Sequence, residues 1–443
     1  AFCISVDGLA YFGESLINNG VANNVVAIDD IAITPDGETI FMATNDGAAN
    51  FSLWRSSMPS TGTSWSRISE KTQPAGFVNT MMTLNPDYDN DPALYWAVAG
   101  APGTAENIYV SQNGGNSFTT RNAPSVGAAH PPTAIALEDD QTVYFAGSDG
   151  KVYKSTNASW TWNSGDSAKV GAIVNLVVPM SDWLLVGGTG KVSYSDDGAD
   201  SFTAKSGALQ AAPVVYVVAA DEDFADSNIM YAATNGGGPD TVYRFEIGET
   251  VDWENLGATG NSSVGIGAMN GALYSMGAGA AGLERTLNPG STAGTVAWQT
   301  LFAGAALAGV GDFDAAMIDG DNVLYAARTT GTPTIWAYND WLATEKPKLT
   351  SPPNNFELSI DPVNGRGIPV DMSWEQMGSS TGLVTRYDVQ ITDASIGWSG
   401  ATLYANQGVS GTNPNVNSGA LGYIFLSNKD YEWRVRANTT SNG

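Results

Sequence analysis

The stretch TVYFAGSDGKVYKSTNASWTW, Thr142–Trp162, decides how this chain is read. Val143, Tyr144, Phe145 and Ala146 form a short apolar run that ends at Ser148, Asp149 and Gly150. Such a run, bounded by an Asp-Gly turn signal, reads as a strand entering a hairpin. A second apolar pair, Val152 and Tyr153, follows at once. After it come Ser155, Asn157, Ser159, Thr161 and Trp162, every second residue being small or polar until the closing aromatic.

The phrase recurs. TIFMATNDG starts at Thr39, ALYWAVAG at Ala93, WLLVGGTG at Trp183, IMYAATNGG at Ile229, ALYSMGAG at Ala272 and VLYAARTTG at Val323. The column through Phe41, Tyr95, Tyr144, Leu185, Tyr231, Tyr274 and Tyr325 repeats every 41 to 54 residues. That spacing is near the roughly 40–50 residues of a propeller blade. Helical solenoids are excluded, because the segments alternate at period 2 and show no 3.6-residue stripe.

An apolar run precedes each copy, as in DIAITPDG from Asp30, TAIALEDD from Thr133, NLVVPMSD from Asn175 and VVYVVAAD from Val214. Its small residues suit an innermost strand at a crowded axis. A third run follows, such as SLWRS from Ser52, VYKS from Val152 and VYRF from Val242. A fourth begins at Trp65, Phe118, Trp162, Phe202, Trp253 and Trp298. Four antiparallel strands per unit make a blade. The expected fold class is therefore all-β, a seven-bladed β-propeller over residues 1–344. The seventh unit has no room for a fourth strand before Glu345-Lys-Pro-Lys348, while residues 3–18 are unassigned. The N-terminal segment is expected to supply that outer strand and hide the open edge.

Three turns between the third and fourth strands carry one signature. They are Ser111, Asn113, Gly115, Ser117, Phe118; Ser155, Asn157, Ser159, Thr161, Trp162; and Ser195, Asp197, Ala199, Ser201, Phe202. The pattern resembles the Asp box, S-x-D-x-G-x-T-W, of BNR-repeat propellers. An Asp or Asn side chain there accepts hydrogen bonds from its own hairpin. Gly supplies a positive φ, and the aromatic fills the groove between strands or blades. Asn replaces Asp in two of the three copies, and the first and sixth units carry longer loops. The resemblance implies a folding element and no chemistry; propellers sharing it include sialidases, receptors and assembly factors, so function stays open.

A linker near Thr344–Lys348 leads to residues 347–443. Strand signals surround Trp374, Tyr387–Ile391 and Tyr431–Asn438. The placing of Trp374, Tyr387, Leu426, Tyr431 and Val435 resembles a fibronectin type III domain, which implies a C-terminal β-sandwich with Tyr431 making its corner contact. Nothing after Asn438 reads as a last strand, so this sandwich is expected to be incomplete here.

Of 443 residues, 45 are acidic and 19 basic, a formal charge of −26. Such a field disfavours nucleic acid and anionic lipid as partners. Charged residues are 14%, below the roughly 25% usual in soluble proteins. The lone Cys3 excludes an intrachain disulfide. No apolar run nears the roughly 18 residues of a membrane span. The chain starts at Ala1, read as a processed N-terminus and hence an extracellular or cell-surface location.

Catalytic groups are sparse. His130 is the single histidine, which argues against a transition-metal cluster and a serine triad. A sialidase-like arginine triad needs axial positions, but Arg55, Arg244 and Arg285 fall on third strands, and Arg67 and Arg121 on fourth strands; Arg328 alone is near a ring face. Two Asp-rich loops, one with Asp87, Asp89 and Asp91, the other with Asp221, Asp223 and Asp226, are the metal candidates. Either they bind calcium or they are repeat-specific turns capped by Asp91 and Asp226. No other cofactor is expected. Sequons stand at Asn50, Asn157, Asn261 and Asn438.

With the sparse catalytic groups and the acidic balance, the resemblance to surface proteins that join such a propeller to a sandwich domain implies a non-catalytic structural or adhesion protein, a surface-layer component whose partners are its own copies, other surface proteins or glycans. The alternative is a glycan-binding or glycan-hydrolysing, sialidase-like propeller, with Trp96 or Trp183 stacking sugars.

Overall fold

All seven copies of the repeated phrase form the second strand of a four-stranded antiparallel sheet. The structure, a computed structural model, describes residues 11–13, 27–46, 50–57, 65–72, 77–100, 107–124, 132–207, 209, 214–235, 241–258, 262–277, 282–302, 310–318, 320–328, 335–340, 343, 348–353, 355–375, 384–395, 402–404 and 415–439. They fall into two compact units, residues 9–343 and 344–443.

In the first unit the third sheet runs outward through Pro132–Leu137, Val143–Gly147, Lys151–Ser155 and Asp166–Ser167. The innermost strands of the first and second sheets are Ala27–Ile33 and Phe77–Leu84. Those of the fourth to seventh are Ile173–Met180, Val215–Ala220, Ser263–Met269 and Val310–Ile318. Each innermost strand lies beside that of the next sheet, and the seventh's lies beside the first's. The sheets therefore close a ring, and the unit is a β-propeller.

The seventh sheet continues outward through Asp321–Arg328 and Ile335–Asp340. Its outermost strand is Tyr11–Gly13, with Tyr11 opposite Ala337 and Gly13 opposite Ile335. The start of the chain thus pairs with the end of the ring and covers an edge that would otherwise offer unpaired amides. The rest of the segment 3–18 lies outside the described residues.

The core sits between successive sheets. All seven residues of the aromatic column are at most 3% exposed. Phe41, Phe51 and Leu53 of the first sheet pack with Leu94, Trp96 and Tyr109 of the second. Ile31 and Met42 pack with Val323, Tyr325 and Ile335 of the seventh, which seals the ring. Each such side chain contributes about 1.5–3 kcal/mol by leaving water.

Five fourth strands start directly after their aromatic, for instance Thr119 after Phe118 and Thr203 after Phe202. The third sheet departs from this, its outer strand starting at Asp166, four residues past Trp162. Asn163 holds the intervening turn by accepting from the Lys154 amide at 2.8 Å and donating its own amide to the Lys154 carbonyl at 3.0 Å. Gly165 then reverses direction at φ +72°, where a Cβ would lie 2.5 Å from the Tyr153 ring.

The second unit has two three-stranded sheets. One orders Leu349–Ser351, Asp371–Trp374 and Asn415–Asn417; the other orders Thr402–Tyr404, Val384–Asp393 and Tyr431–Thr439. Trp374 and Tyr387 meet edge to face at 5.2 Å, and Tyr387, Val389 and Ile391 point alternately inward, fully buried. The Tyr431 hydroxyl accepts from the Leu426 amide at 2.7 Å. Leu426 therefore acts through its backbone: its side chain is 56% exposed, and Phe425 is the buried neighbour.

Candidate functional site

The three hairpins with the shared signature have one hydrogen-bond plan. In the second sheet, Ser111 Oγ donates to Asn113 Oδ1 at 2.9 Å and accepts from the Gly115 amide at 2.9 Å. Asn113 Oδ1 also accepts from the Ser117 amide at 2.9 Å. Ser155 and Asn157 repeat these bonds to Ser159 and Thr161, and Ser195 and Asp197 repeat them to Ala199 and Ser201. The sixth unit keeps a fragment, Thr286 Oγ1 to Asn288 Oδ1 at 2.8 Å. These side chains are occupied in holding their own turns. Partial burial pushes the Asp197 carboxyl up, but the Ser201 and Ser195 donors outweigh it and hold the group below the ordinary carboxylate value.

The closing aromatics tie each hairpin to the preceding sheet. Trp162 Nε1 donates to the Asn122 carbonyl at 3.0 Å, and Trp298 Nε1 to the Leu256 carbonyl at 2.9 Å. Phe202 is buried among Tyr144, Ala146 and Val152 of the third sheet.

Carboxylates in the loops between first and second strands serve the tyrosine column. Tyr144 donates to Glu138 at 2.6 Å and Tyr231 to Asp221 at 2.9 Å. Burial, and then the carboxylate partner, push these two phenols well above their usual range. Of the Asp-rich loops, Asp221 also accepts from Ser227 Oγ and from the Asp223 amide. Asp87 accepts from Asn90, and Asp91 from Asn85. Asp226 is exposed on the short helix Phe224–Ser227. Asp89 lies near Asp36 of the neighbouring sheet, and slight burial followed by that charge raises it. Among the described residues, no three His, Cys, Asp or Glu side chains converge to hold a metal ion. Neither loop gathers its three carboxylates into a ligand set.

Sequence reasoning missed a set of groups on the innermost strands. One position there pairs with the residue two past the aromatic column. It holds Asp30, Met81, Ala134, Asn175, Val217, Gly265 and Asp312 in successive sheets. Its three polar occupants each reach the next sheet's innermost strand. Asp312 accepts from the Ile31 amide at 2.7 Å and Asp30 from the Met82 amide. Asn175 accepts from the Val218 amide at 3.0 Å and donates to the Val218 carbonyl at 2.8 Å. Asp314 adds a bond from the Ile33 amide at 2.9 Å. Asp30 and Asp312 face each other across the joint between the seventh and first sheets, Asp312 accepting from the amide of Ile31, the residue next to Asp30. Both are half-buried. Burial and the facing carboxylate push Asp30 far up; burial also pushes Asp314 up to about 7. The signal available in the sequence was a polar residue in an otherwise apolar column.

The six arginines occupy the strands given above. Arg285, fully buried, is paired to Asp340, which also accepts from Tyr274 at 2.8 Å. This Arg–Asp–Tyr group joins the sixth and seventh sheets and is closed to substrate. Trp96 is fully buried, and Trp183, half-buried, packs against Tyr194 and Phe224. Trp96 therefore offers no face to a sugar. His130 and Asn261 lie outside the described residues. Asn157 spends its amide on Thr161, and Asn50 donates to Asp46 at 2.6 Å.

In the second unit a cleft of about 1030 Å³ is lined in part by Leu349, Phe356, Ile360, Phe425, Leu426 and Trp433. Exposed large hydrophobics concentrate in this unit: Leu349, Phe356, Ile360, Val363, Ile368, Ile424 and Leu426.

No family model matches the chain, and no curated protein matches it. Solved structures do. YCF48 bound to D1 peptide is similar with a TM-score of 0.50 at 12% identity, over 71% of this chain and 94% of that one. RRP9 WD40 repeats give 0.50 at 11%, over 71% and 94%. YCF48 from Cyanidioschyzon merolae gives 0.48 at 11%, over 71% and 96%. At such identities the first two likenesses establish a propeller fold and nothing of the activity. The described residues contain no helix long and apolar enough to cross a membrane.

Proposed function

We propose that this protein is a non-catalytic extracellular component of a cell surface or surface layer, built from an Asp-box propeller and a fibronectin type III-like domain, that assembles with further copies of itself. The observation that carries this reading is the set of exposed apolar side chains in the second unit, four of which, Leu349, Phe356, Ile360 and Leu426, line one cleft. Apolar surface gathered in this way marks protein contact. The hairpin plan of Ser111, Ser155 and Ser195 supports the Asp-box assignment, and the Trp374, Tyr387 and Tyr431 contacts support the fibronectin-like one. Engagement of the Arg285, Tyr274 and Asp340 group in sheet packing favours binding over turnover. Peptide binding by a structurally similar propeller is compatible with a protein partner.

Sedimentation velocity on the full chain tests this. Concentration-dependent association is expected, reduced in a Phe356→Gln, Leu426→Gln double variant. A strictly monomeric protein, or product release from a glycan panel, would overturn the reading.

A further inference from the structure

We propose that the joint between the seventh and first sheets is an acid-closed latch, in which Asp30 and Asp312 hold the ring shut while they share a proton and loosen it when both are charged. Two carboxyls facing each other across adjacent strands repel when both are charged, and a proton held by one of them removes that repulsion. Both also accept from backbone amides across sheet boundaries: Asp312 from Ile31, Asp30 from Met82. Asp314 accepts from Ile33 across the same joint. Losing the proton leaves two like charges in a half-buried position.

The molecule carries its own control. Asn175 occupies the equivalent position of the fourth sheet and bridges to Val218 with both its oxygen and its nitrogen. That joint has the same geometry and nothing to titrate. An amide would thus serve for pure construction, and the acid pair adds pH dependence at the joint where the ring closes.

The surroundings decide the sign. On the first sheet's innermost strand stand Asp29 and Asp30, and on the seventh's Asp312 and Asp314. Phe77–Leu84, Thr39–Asn45 and Ser263–Met269 carry no acidic or basic residue. Asp321–Arg328 carries Asp321 at its start, Tyr325 within it and Arg328 at its end, the last pairing through its backbone with Val310. Burial raises Asp30, Asp312 and Asp314, the last to about 7 from an ordinary 3.8. Burial also brings Asp29 to about 7, against donors at Asn45 and Thr80. Groups raised on folding bind more protons in the folded state, so stability falls as pH rises from near 4 through 7.

The test is the melting temperature of the full chain from pH 5 to pH 8, read together with hydrogen exchange of the Ile31 and Ile33 amides corrected for intrinsic rates. The wild type is expected to lose several degrees and amide protection on going to pH 8. Asp312→Asn and Asp30→Asn each flatten the profile, and Asn175→Asp steepens it by adding a titrating group to the neutral joint. Arg328→Met keeps the wild-type slope. An unchanged slope in Asp312→Asn, no added slope in Asn175→Asp, or loss of the slope in Arg328→Met would each overturn the latch. Should Asp312→Asn not fold, the Asp30→Asn profile still decides.

Discussion

The indole nitrogen of Trp162 lies 3.0 Å from the carbonyl oxygen of Asn122, so the third sheet's hairpin is fastened to the outermost strand of the second. Trp298 of the sixth sheet makes the same bond to Leu256 of the fifth, three sheets further round the ring. Trp162→Phe keeps the edge-to-face contact with Phe145 and loses the bond. A loss of about 1 kcal/mol is expected, the usual net value of one hydrogen bond. Urea unfolding of the variant checks it, with an equal loss expected for Trp298→Phe.

Ser159 offers the opposite outcome. It sits at φ +63° where the second-sheet hairpin has Gly115, and its buried hydroxyl has no hydrogen-bond partner. Ser159→Gly removes both the left-handed strain and the orphan hydroxyl. A gain of roughly 1 kcal/mol is expected, since left-handed backbone costs a non-glycine residue about 1–2 kcal/mol. The urea midpoint should rise.

Asp197 works as a carboxylate where its two counterparts are Asn113 and Asn157. Its folded-state pKa is depressed, so its contribution is present above the ordinary value of 3.8 and is lost as pH falls through the folded value. Asp197→Asn should leave stability at pH 7 nearly unchanged and remove this loss below pH 4. Asp197→Ala should cost about 1 kcal/mol at pH 7, as side-chain caps of backbone amides do. Melting curves at pH 3 and pH 7 separate the three proteins.

Calcium is expected to have no effect. Asp87, Asp91 and Asp221 accept from neighbouring protein donors, and no three carboxylates converge among the described residues. The melting temperature should be the same in millimolar calcium and in EDTA. A calcium-dependent rise would return Asp87, Asp89, Asp91, Asp221, Asp223 or Asp226 to the list of ligands.

The repeat was legible because a propeller writes itself locally: the column from Phe41 to Tyr325 must be buried in every sheet, and three hairpins need Ser and Asn or Asp at fixed offsets. Trp374 and Tyr387 were legible for the same reason, as large residues on inward strand positions. Asp30 and Asp312 were not, because their partners are remote: Asp312 meets the amide of a residue 281 positions away. No local pattern encodes that distance. The late outer strand of the third sheet was hidden too, since it depends on Asn163 bonding back to Lys154 and on Gly165 yielding to Tyr153. The burial of Phe425 beside Leu426 was not legible either, because the Tyr431 hydroxyl meets only the backbone amide of Leu426 and leaves that side chain exposed.

The outer edge of the seventh sheet is covered by Tyr11–Gly13 pairing with Ile335–Asp340, the most remote strand pairing of the propeller. Tyr11 and Ala337 are direct partners in that pairing, and opposed strand residues sit about 4.5–5.5 Å apart, within disulfide reach. A Tyr11→Cys, Ala337→Cys protein, made with Cys3→Ser, tests this most directly. Oxidation is expected to give an intramolecular disulfide in the folded monomer and a higher melting temperature than the reduced form. Failure to cross-link under native conditions, with both thiols free, would contradict the closure of the seventh sheet by the start of the chain.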